Sequence, residues 1–243
     1  MRIGKIVRQS RQIPDTDALL AYSGIMISSD RILLKDDHLL IVSKRSMELT
    51  VRGKGQVGKL PLLDFLRKDF PELRAVHRLD FETSGIVVFA RTKKAYDAIL
   101  ASDFAGWEKK YRTIVMGRVG RETGIIRIKL PARSHGVVDA ETSYVVLERF
   151  VQSSFIEATI ATGRHHQIRL HLAKIGHPLV LDDEYGNRKY NGTFKQEFNY
   201  HTFFLHAFAL SFPHPITKEK VSVTAPLPRN FEECLKKLRA LGG

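Results

Sequence analysis

The stretch 77-HRLDFETSG-85 places His77, Arg78, Asp80 and Glu82 within nine residues, directly ahead of the apolar run 86-IVVFA-90. Its Thr-Ser-Gly segment reads as a tight turn, with Gly85 free to adopt backbone angles closed to other residues. Asp80 would then project from a loop at the edge of a sheet, where catalytic groups often sit. A carboxylate in such a place can attack an electrophilic carbon or take a proton. It can also simply cap its own turn, the ordinary use of a turn aspartate.

A second stretch, 163-GRHHQIRLHLAKIGHP-178, bears on that choice. Ile168, Leu172 and Ile175 share one helical face, and Gly176 is well placed just past the helix end. Arg169 lies about 100° around from Ile168, at the margin of the apolar stripe. An arginine reaching inward from there needs an acid partner. Such a pair would hold a carboxylate ionised and fixed in direction, because arginine stays charged and binds bidentately. The plain alternative is a solvated surface arginine.

Other chemistries fit poorly. His166 and His171 are five positions apart and His165 and His171 six, whereas a helix brings ligands together at three or four, so no metal site is expected. His177 and His206 read as hydrogen-bonding residues of the framework. Ser84 lacks the Gly-x-Ser-x-Gly elbow, and 53-GKGQVG-58 lacks both Walker and Rossmann glycine spacing.

The elements that must carry these residues are legible in outline. Strand character is expected at 38-HLLIVSK-44, 85-GIVVFAR-91, 111-YRTIVMG-117, 125-IIRIKL-130, 142-TSYVVLERF-150, 155-FIEATIAT-162 and 221-VSVTAP-226. Helices are expected at 61-PLLDFLRKDF-70, after a Thr92 cap through Ala95, Ile99 and Leu100, over 165–175, and from about Asn230 to Leu241. The run 52-RGKGQVGK-59 reads as a mobile basic loop. Strands arriving in runs point to an α+β fold with a largely antiparallel, mixed sheet flanked by helices around a central cleft. No repeat or long linker divides the chain. Residues 1–30 read as an N-terminal arm or short extension, and the rest as one continuous unit.

Lys and Arg number 39 against 26 Asp and Glu, a formal charge of +13. The excess is broad, heaviest towards the two ends of the chain, and favours a polyanionic partner, of which nucleic acid is the commonest. No apolar run approaches the roughly 20 residues that cross a bilayer, so no membrane partner is expected. The single cysteine, Cys234, permits no intrachain disulfide, which fits a reducing, cytoplasmic setting.

On these motifs the sequence resembles the RluA-type pseudouridine synthases. His-Arg-Leu-Asp, two variable residues and Thr-Ser-Gly are complete at 77–85. The second family block appears as 163-GRHHQIR-169 and 176-GHP-178, followed by Asp182, Tyr185 and Gly186 of Asp-x-x-Tyr-Gly. The family's Lys-x-Tyr segment is matched by 109-KKYRTIVMG-117, and its late motifs by 205-LHA-207 and 212-FPHP-215. The resemblance runs in order from about residue 34 to 228. Two departures stand out: His165 replaces a usual Thr, and 44-KRSM-47 replaces a Lys-Pro-x-Gly turn.

The resemblance implies an RNA uridine isomerase that needs no cofactor and acts on ribosomal or transfer RNA, with 31–243 as its catalytic domain and no separate RNA-binding domain in residues 1–30. Asp80 would be the catalytic nucleophile or base, with Arg169 charge-paired to it and Tyr111 stacked on the target base. Arg78 would enter the space left by a flipped base. Further RNA contacts are expected from His77, Thr83, Arg164, His166 and Gln167, and a monomer is expected. Two rivals remain at this level: a glycosidase using Glu82 or Asp182 as a second carboxylate, and a non-catalytic RNA-binding protein.

Overall fold

A computed structural model of the chain describes residues 27–53, 60–132 and 135–242. Most of the expected arm, and residues 54–59 of the expected basic loop, lie outside this range.

The described residues form an α+β fold around one sheet of ten strands. Its main path begins with β1 (Ile32–Lys35), β2 (Leu39–Lys44) and β4 (Ser84–Ala90) and continues through β11 (Leu205–Pro213), β5 (Glu108–Met116), β10 (Ser153–Ile160), β9 (Glu141–Arg149) and β6 (Thr123–Arg127). Two strands join off that path, β3 (Arg74–Ala75) on β4 and β12 (Lys220–Thr224) on β11. A separate ribbon pairs β7 (Leu130–Pro131) with β8 (Val137–Val138). Every pairing is antiparallel except that of β4 with β11.

Five helices pack on this sheet: α1 (Leu62–Leu66), α2 (Lys93–Ala101), α3 (Gln167–Lys174), α4 (Arg188–Phe198) and α5 (Arg229–Ala240). Local chemistry sets several of their ends. Thr92 caps α2 by accepting from Ala95 N–H, Asn187 caps α4 in the same way from Tyr190 N–H, and Gly176 takes a φ of 86° just beyond α3.

The sequence places β2, β4, β9, β10, β12, α2, α3 and α5 within a few residues. It overextends α1, which stops at Leu66. Strand β5 begins three residues ahead of Tyr111, at Glu108. His165 and His166 lie ahead of α3 rather than in it, because His166 takes a left-handed conformation with φ 50°.

β4 is buried along its whole length, as a central strand must be. Two apolar clusters cover the sheet. One gathers β2, β4, α1 and α2 with Trp107 and Phe212; the other gathers β5, β10, α3, α4 and α5. Tyr111 packs against both, so it stands where they meet.

Gly85 shows why the turn before β4 ends in glycine. It has a φ of 108°, and a Cβ there would lie 2.3 Å from Ala207 O on the parallel strand β11. Next to it, Ser84 Oγ donates to His206 Nδ1 at 2.9 Å, and His206 Nε2 donates to Ala225 O.

Candidate active site

Asp80 is fixed through the backbone on both sides of it. On one side Leu79 N–H donates to Thr50 Oγ1, and the same hydroxyl donates to Leu79 O. On the other, Phe81 O accepts from Met47 N–H at 2.8 Å and from Lys44 Nζ at 3.1 Å, while Ser46 Oγ donates to Glu82 O. Segment 44–50 therefore clasps 79–82 and aims the Asp80 side chain outward. Lys44 is buried at the end of an apolar strand, and three carbonyls, those of Arg45, Glu48 and Phe81, receive its ammonium. Burial lowers its pKa to about 8, against the opposing pull of Glu48, Asp80 and Glu82.

The Asp80 carboxylate is 32% exposed, and among the described residues His166 Nε2 stands 3.7 Å from its Oδ2, an ion pair only when that ring is protonated. The other ring nitrogen of His166, Nδ1, lies 3.0 Å from the Tyr185 hydroxyl and 3.3 Å from Glu184 Oε2. Burial lowers the His166 pKa, Asp80 raises it, and Arg169 lowers it further.

Arg169 is buried as the helical spacing suggested, but the expected direct pair with Asp80 is corrected by the structure. Its bidentate partner is Asp182, with Nε to Oδ2 at 2.7 Å and Nη2 to Oδ1 at 2.8 Å, and Nη2 also reaches Glu184 at 3.1 Å. Its guanidinium lies between the rings of Tyr185 and Phe203, at 4.8 and 4.7 Å. The physical reason is distance along the fold: the loop 182–186 follows α3 directly and folds back onto it, so its carboxylates reach Arg169 first.

Burial alone would raise the Asp182 pKa. The guanidinium and the N–H groups of Tyr185 and Glu184 outweigh it and hold this carboxyl below its usual range. Asn191 closes the loop, taking Leu181 N–H and donating to Asp182 O. Gly186 is obligatory there, since a Cβ would lie 2.1 Å from Asp182 O. Asp80 still contributes to the field at Arg169, after Asp182 and Glu184.

Tyr111 is half-buried on β5 and lies between Ala158 of β10 and Ala207 of β11, whose small side chains leave its ring room. Burial raises its phenol pKa, and the nearby Asp80 adds to that rise. Two residues back along the strand, Lys109 lies over the rings of Phe104 and Trp107 at 5.1 and 5.6 Å, with burial lowering its pKa.

The expected RNA-contact residues divide. Arg78 and Arg164 are exposed, and neither makes an ion pair among the described residues; His166 faces Asp80. Gln167 and His77 are corrected to framework roles, and Thr83 is buried away from the surface with no hydrogen-bond partner for its hydroxyl among the described residues. Gln167 is 2% exposed and spends its amide on Thr162, Arg164 N–H, Glu141 O and Thr142. Thr83 is equally buried. His77 accepts Val88 N–H at Nε2 and meets Trp107 edge-on, and burial lowers its pKa to about 3, so the ring is neutral.

Sequence reasoning passed over Lys44, Lys109 and Glu184. For Lys44 a signal existed, a lysine closing the otherwise apolar 39-LLIVSK-44. The others are surface-type residues whose positions only the fold reveals. No group of three or more His, Cys, Asp or Glu among the described residues could hold a metal ion. A groove of about 490 Å3 between α4, α5 and the β9–β10 turn contains none of the site residues.

Residues 38–174 match the family described as RNA pseudouridylate synthase. The chain is 33% identical over 218 residues to the ribosomal large subunit pseudouridine synthase C of Vibrio cholerae, covering 86% of this chain and 69% of that protein. It is 32% identical over 225 residues to the protein of the same name from Escherichia coli K12, covering 87% and 70%. Among solved structures, human RNA pseudouridylate synthase domain containing 4 is similar at a TM-score of 0.71 and 25% identity, covering 86% of this chain and 92% of that one. Human RNA pseudouridylate synthase domain containing 1 shares the fold at a TM-score of 0.67 and 24% identity, covering 88% and 97%.

Proposed function

This chain belongs to the RNA pseudouridylate synthase family, RluA type, and from that premise we propose that it isomerises specific uridines of large-subunit ribosomal RNA, with Asp80 as the reacting carboxylate. It is a pseudouridine synthase; the RNA is inferred from the names of the relatives. The observation that carries the role of Asp80 is the clasp described above. Its neighbours Leu79, Phe81 and Glu82 are tied down through the backbone, while its carboxylate stays accessible beside Tyr111 and His166.

The reaction breaks the bond from ribose C1′ to uracil N1, turns the base, and joins C5 to C1′. The hydrogen on C5 leaves to solvent and N1 takes a proton, so product and substrate are isomers. Asp80 either attacks C1′ or removes the C2′ proton to give a glycal; both routes use an ionised carboxylate. Tyr111 stacks on the uracil and keeps it in place while it is detached. Arg78, exposed and without an ion pair among the described residues, enters the space left when the uridine is flipped out. Arg169 is a positioning residue: it orders the 182–186 loop that holds His166 against Asp80, and it adds positive potential at the carboxylate. Arg164 and the general excess of cations hold phosphates.

A glycosidase would call for a second carboxylate acting as acid or base. Asp182, one candidate, is 0% exposed and held ionised by Arg169, which supports the synthase reading over the hydrolytic one. Among the described residues no helix is long and apolar enough to cross a membrane, and we read the protein as a cytoplasmic monomer whose residues 31–243 work as one catalytic domain.

The test is tritium release from RNA labelled at uridine C5, using bulk ribosomal and transfer RNA from cells lacking the enzyme. Release confined to the large-subunit fraction, and absent with Asp80→Asn, is the expected result. Release from transfer RNA alone would overturn the substrate, and free uracil in the supernatant would overturn the reaction.

A further inference from the structure

His165 stands where the family pattern has a threonine, and the structure gives the replacement a geometry. The ring is exposed and lies flat on His166, with centroids 3.7 Å apart and planes within 21°. That separation matches the rise between stacked aromatic rings. His166 is itself held on its other edges, by the Tyr185 hydroxyl and Glu184 at Nδ1 and by Asp80 at Nε2. Among the described residues His165 has no ring neighbour other than His166 and no hydrogen bond from its side chain. One flat face of a positioned aromatic ring is thus left open at the rim, one ring beyond the group that touches Asp80.

We propose that His165 is a stacking shelf for the base of a nucleotide adjoining the target uridine, so that the chain prefers RNA with a large, purine base at that position. The proposal rests on the synthase reading above and adds to it which residue senses a neighbour. The physical case is direct. Single-stranded or flipped-out RNA is recognised largely by stacking of unpaired bases on aromatic side chains, histidine among them. A target whose C1′ reaches Asp80 has its neighbouring base within a nucleotide's length of this rim. A third ring on the outer face of His165 would continue the stack already formed, and a purine covers more of it than a pyrimidine. Threonine offers no such face.

The test uses the full chain carrying Asp80→Asn, so that bound RNA is not turned over, and single-stranded RNA twelve-mers with one central uridine. The bases flanking that uridine are adenine, cytosine or an abasic residue, on the 5′ or the 3′ side. Fluorescence anisotropy at fixed salt should show adenine bound about 10-fold more tightly than the abasic residue on one side, and His165→Thr should remove that difference. His165→Phe should restore it. With the carboxylate intact and labelled RNA, the loss in His165→Thr should appear in KM rather than in kcat.

Three results overturn the shelf: no discrimination by the His165-containing chain, equal discrimination after His165→Thr, or a failure of His165→Phe to restore it. A fall in kcat alone would mean that His165 merely braces His166, and would overturn it as well. Absence of tritium release by the wild-type chain is a separate result; it defeats the synthase reading and is seen in a different assay.

Discussion

Asp80 and Arg169, the two charged residues singled out in the sequence, are built into the molecule by opposite means. Around Asp80 the neighbouring backbone is tied down and the side chain is not. Leu79, Phe81 and Glu82 are all tied to segment 44–50, yet the carboxylate keeps a third of its surface and, among the described residues, one long contact, to His166. Around Arg169 it is the side chain that is saturated, by a bidentate carboxylate, a second acid and two aromatic faces. A rigid backbone carrying an under-partnered group is how a site presents a reagent without reorganising it. A fully partnered buried ion specifies geometry, and is itself unavailable for chemistry. If Asp80 is the reacting carboxylate as proposed, the pair teaches that burial and ion pairing mark the scaffold of a site more readily than its reactive atom.

The largest effect separates the two directly. Asp80→Asn should reduce tritium release at least ~10^3-fold while leaving RNA binding and thermal stability near wild type. A large fall in stability instead would mean that the carboxylate, like Arg169, belongs to the scaffold. Arg169→Met should show the reverse emphasis. It strands Asp182 as an unpaired buried charge and should lower unfolding free energy by about 3–5 kcal/mol in urea titrations. If the chain keeps its stability and loses only activity, Arg169 touches the reaction after all.

Acid should loosen the Asp80 side through its histidines. His77 and His206 both hold β4 as neutral acceptors, and burial lowers their pKa values to about 3 and about 4 from 6.5. The unfolded chain therefore binds more protons below 6.5. Their contribution is whole above that pH and is lost as pH falls through about 4 and then 3. Urea midpoints at pH 7 and pH 4.5 should differ less in His206→Gln than in wild type; an unchanged difference would remove His206 from the account.

The smallest effect concerns the clasp itself. Met47 sits at a φ of 62°, where the family turn has glycine. Met47→Gly should raise stability by about 1 kcal/mol by relieving a left-handed side chain. A loss of stability would show that the Met47 side chain packs to better purpose than its backbone suffers.

Much of this was legible before any coordinate. Apolar periodicity located most strands and the helix bearing Arg169, and the motifs singled out Asp80, Tyr111 and Arg169 across a wide span of chain. What the sequence misassigned were partners. Spacing says that Arg169 faces inward, but not which acid arrives there, and Asp182 wins because its loop returns directly onto α3. Polar residues inside motifs were read as RNA contacts, yet Gln167 and His77 are spent on the framework, since a motif serves folding as well as chemistry. Strand β11 and helix α4 escaped notice for a local reason. The first is interrupted by histidine, proline and small residues, and the second is polar over most of its face, so neither carries a clean period.

The place of β11 has a consequence for how the molecule comes into being. β4 and β5 are neighbours along the chain, but in the sheet β11 lies between them, and Ser84 meets His206 from 122 positions away. During synthesis the loop with Asp80 and the strand with Tyr111 are both made long before the strand that joins them. Until it emerges, each presents an open edge able to pair with the wrong partner. The cleft is thus assembled late and all at once, by a long-range closure of the slow kind. A ribosome-bound fragment lacking β11 has the Asp80 motif in its sequence and lacks the strand that joins it to Tyr111, so the proposed site forms only once β11 has emerged.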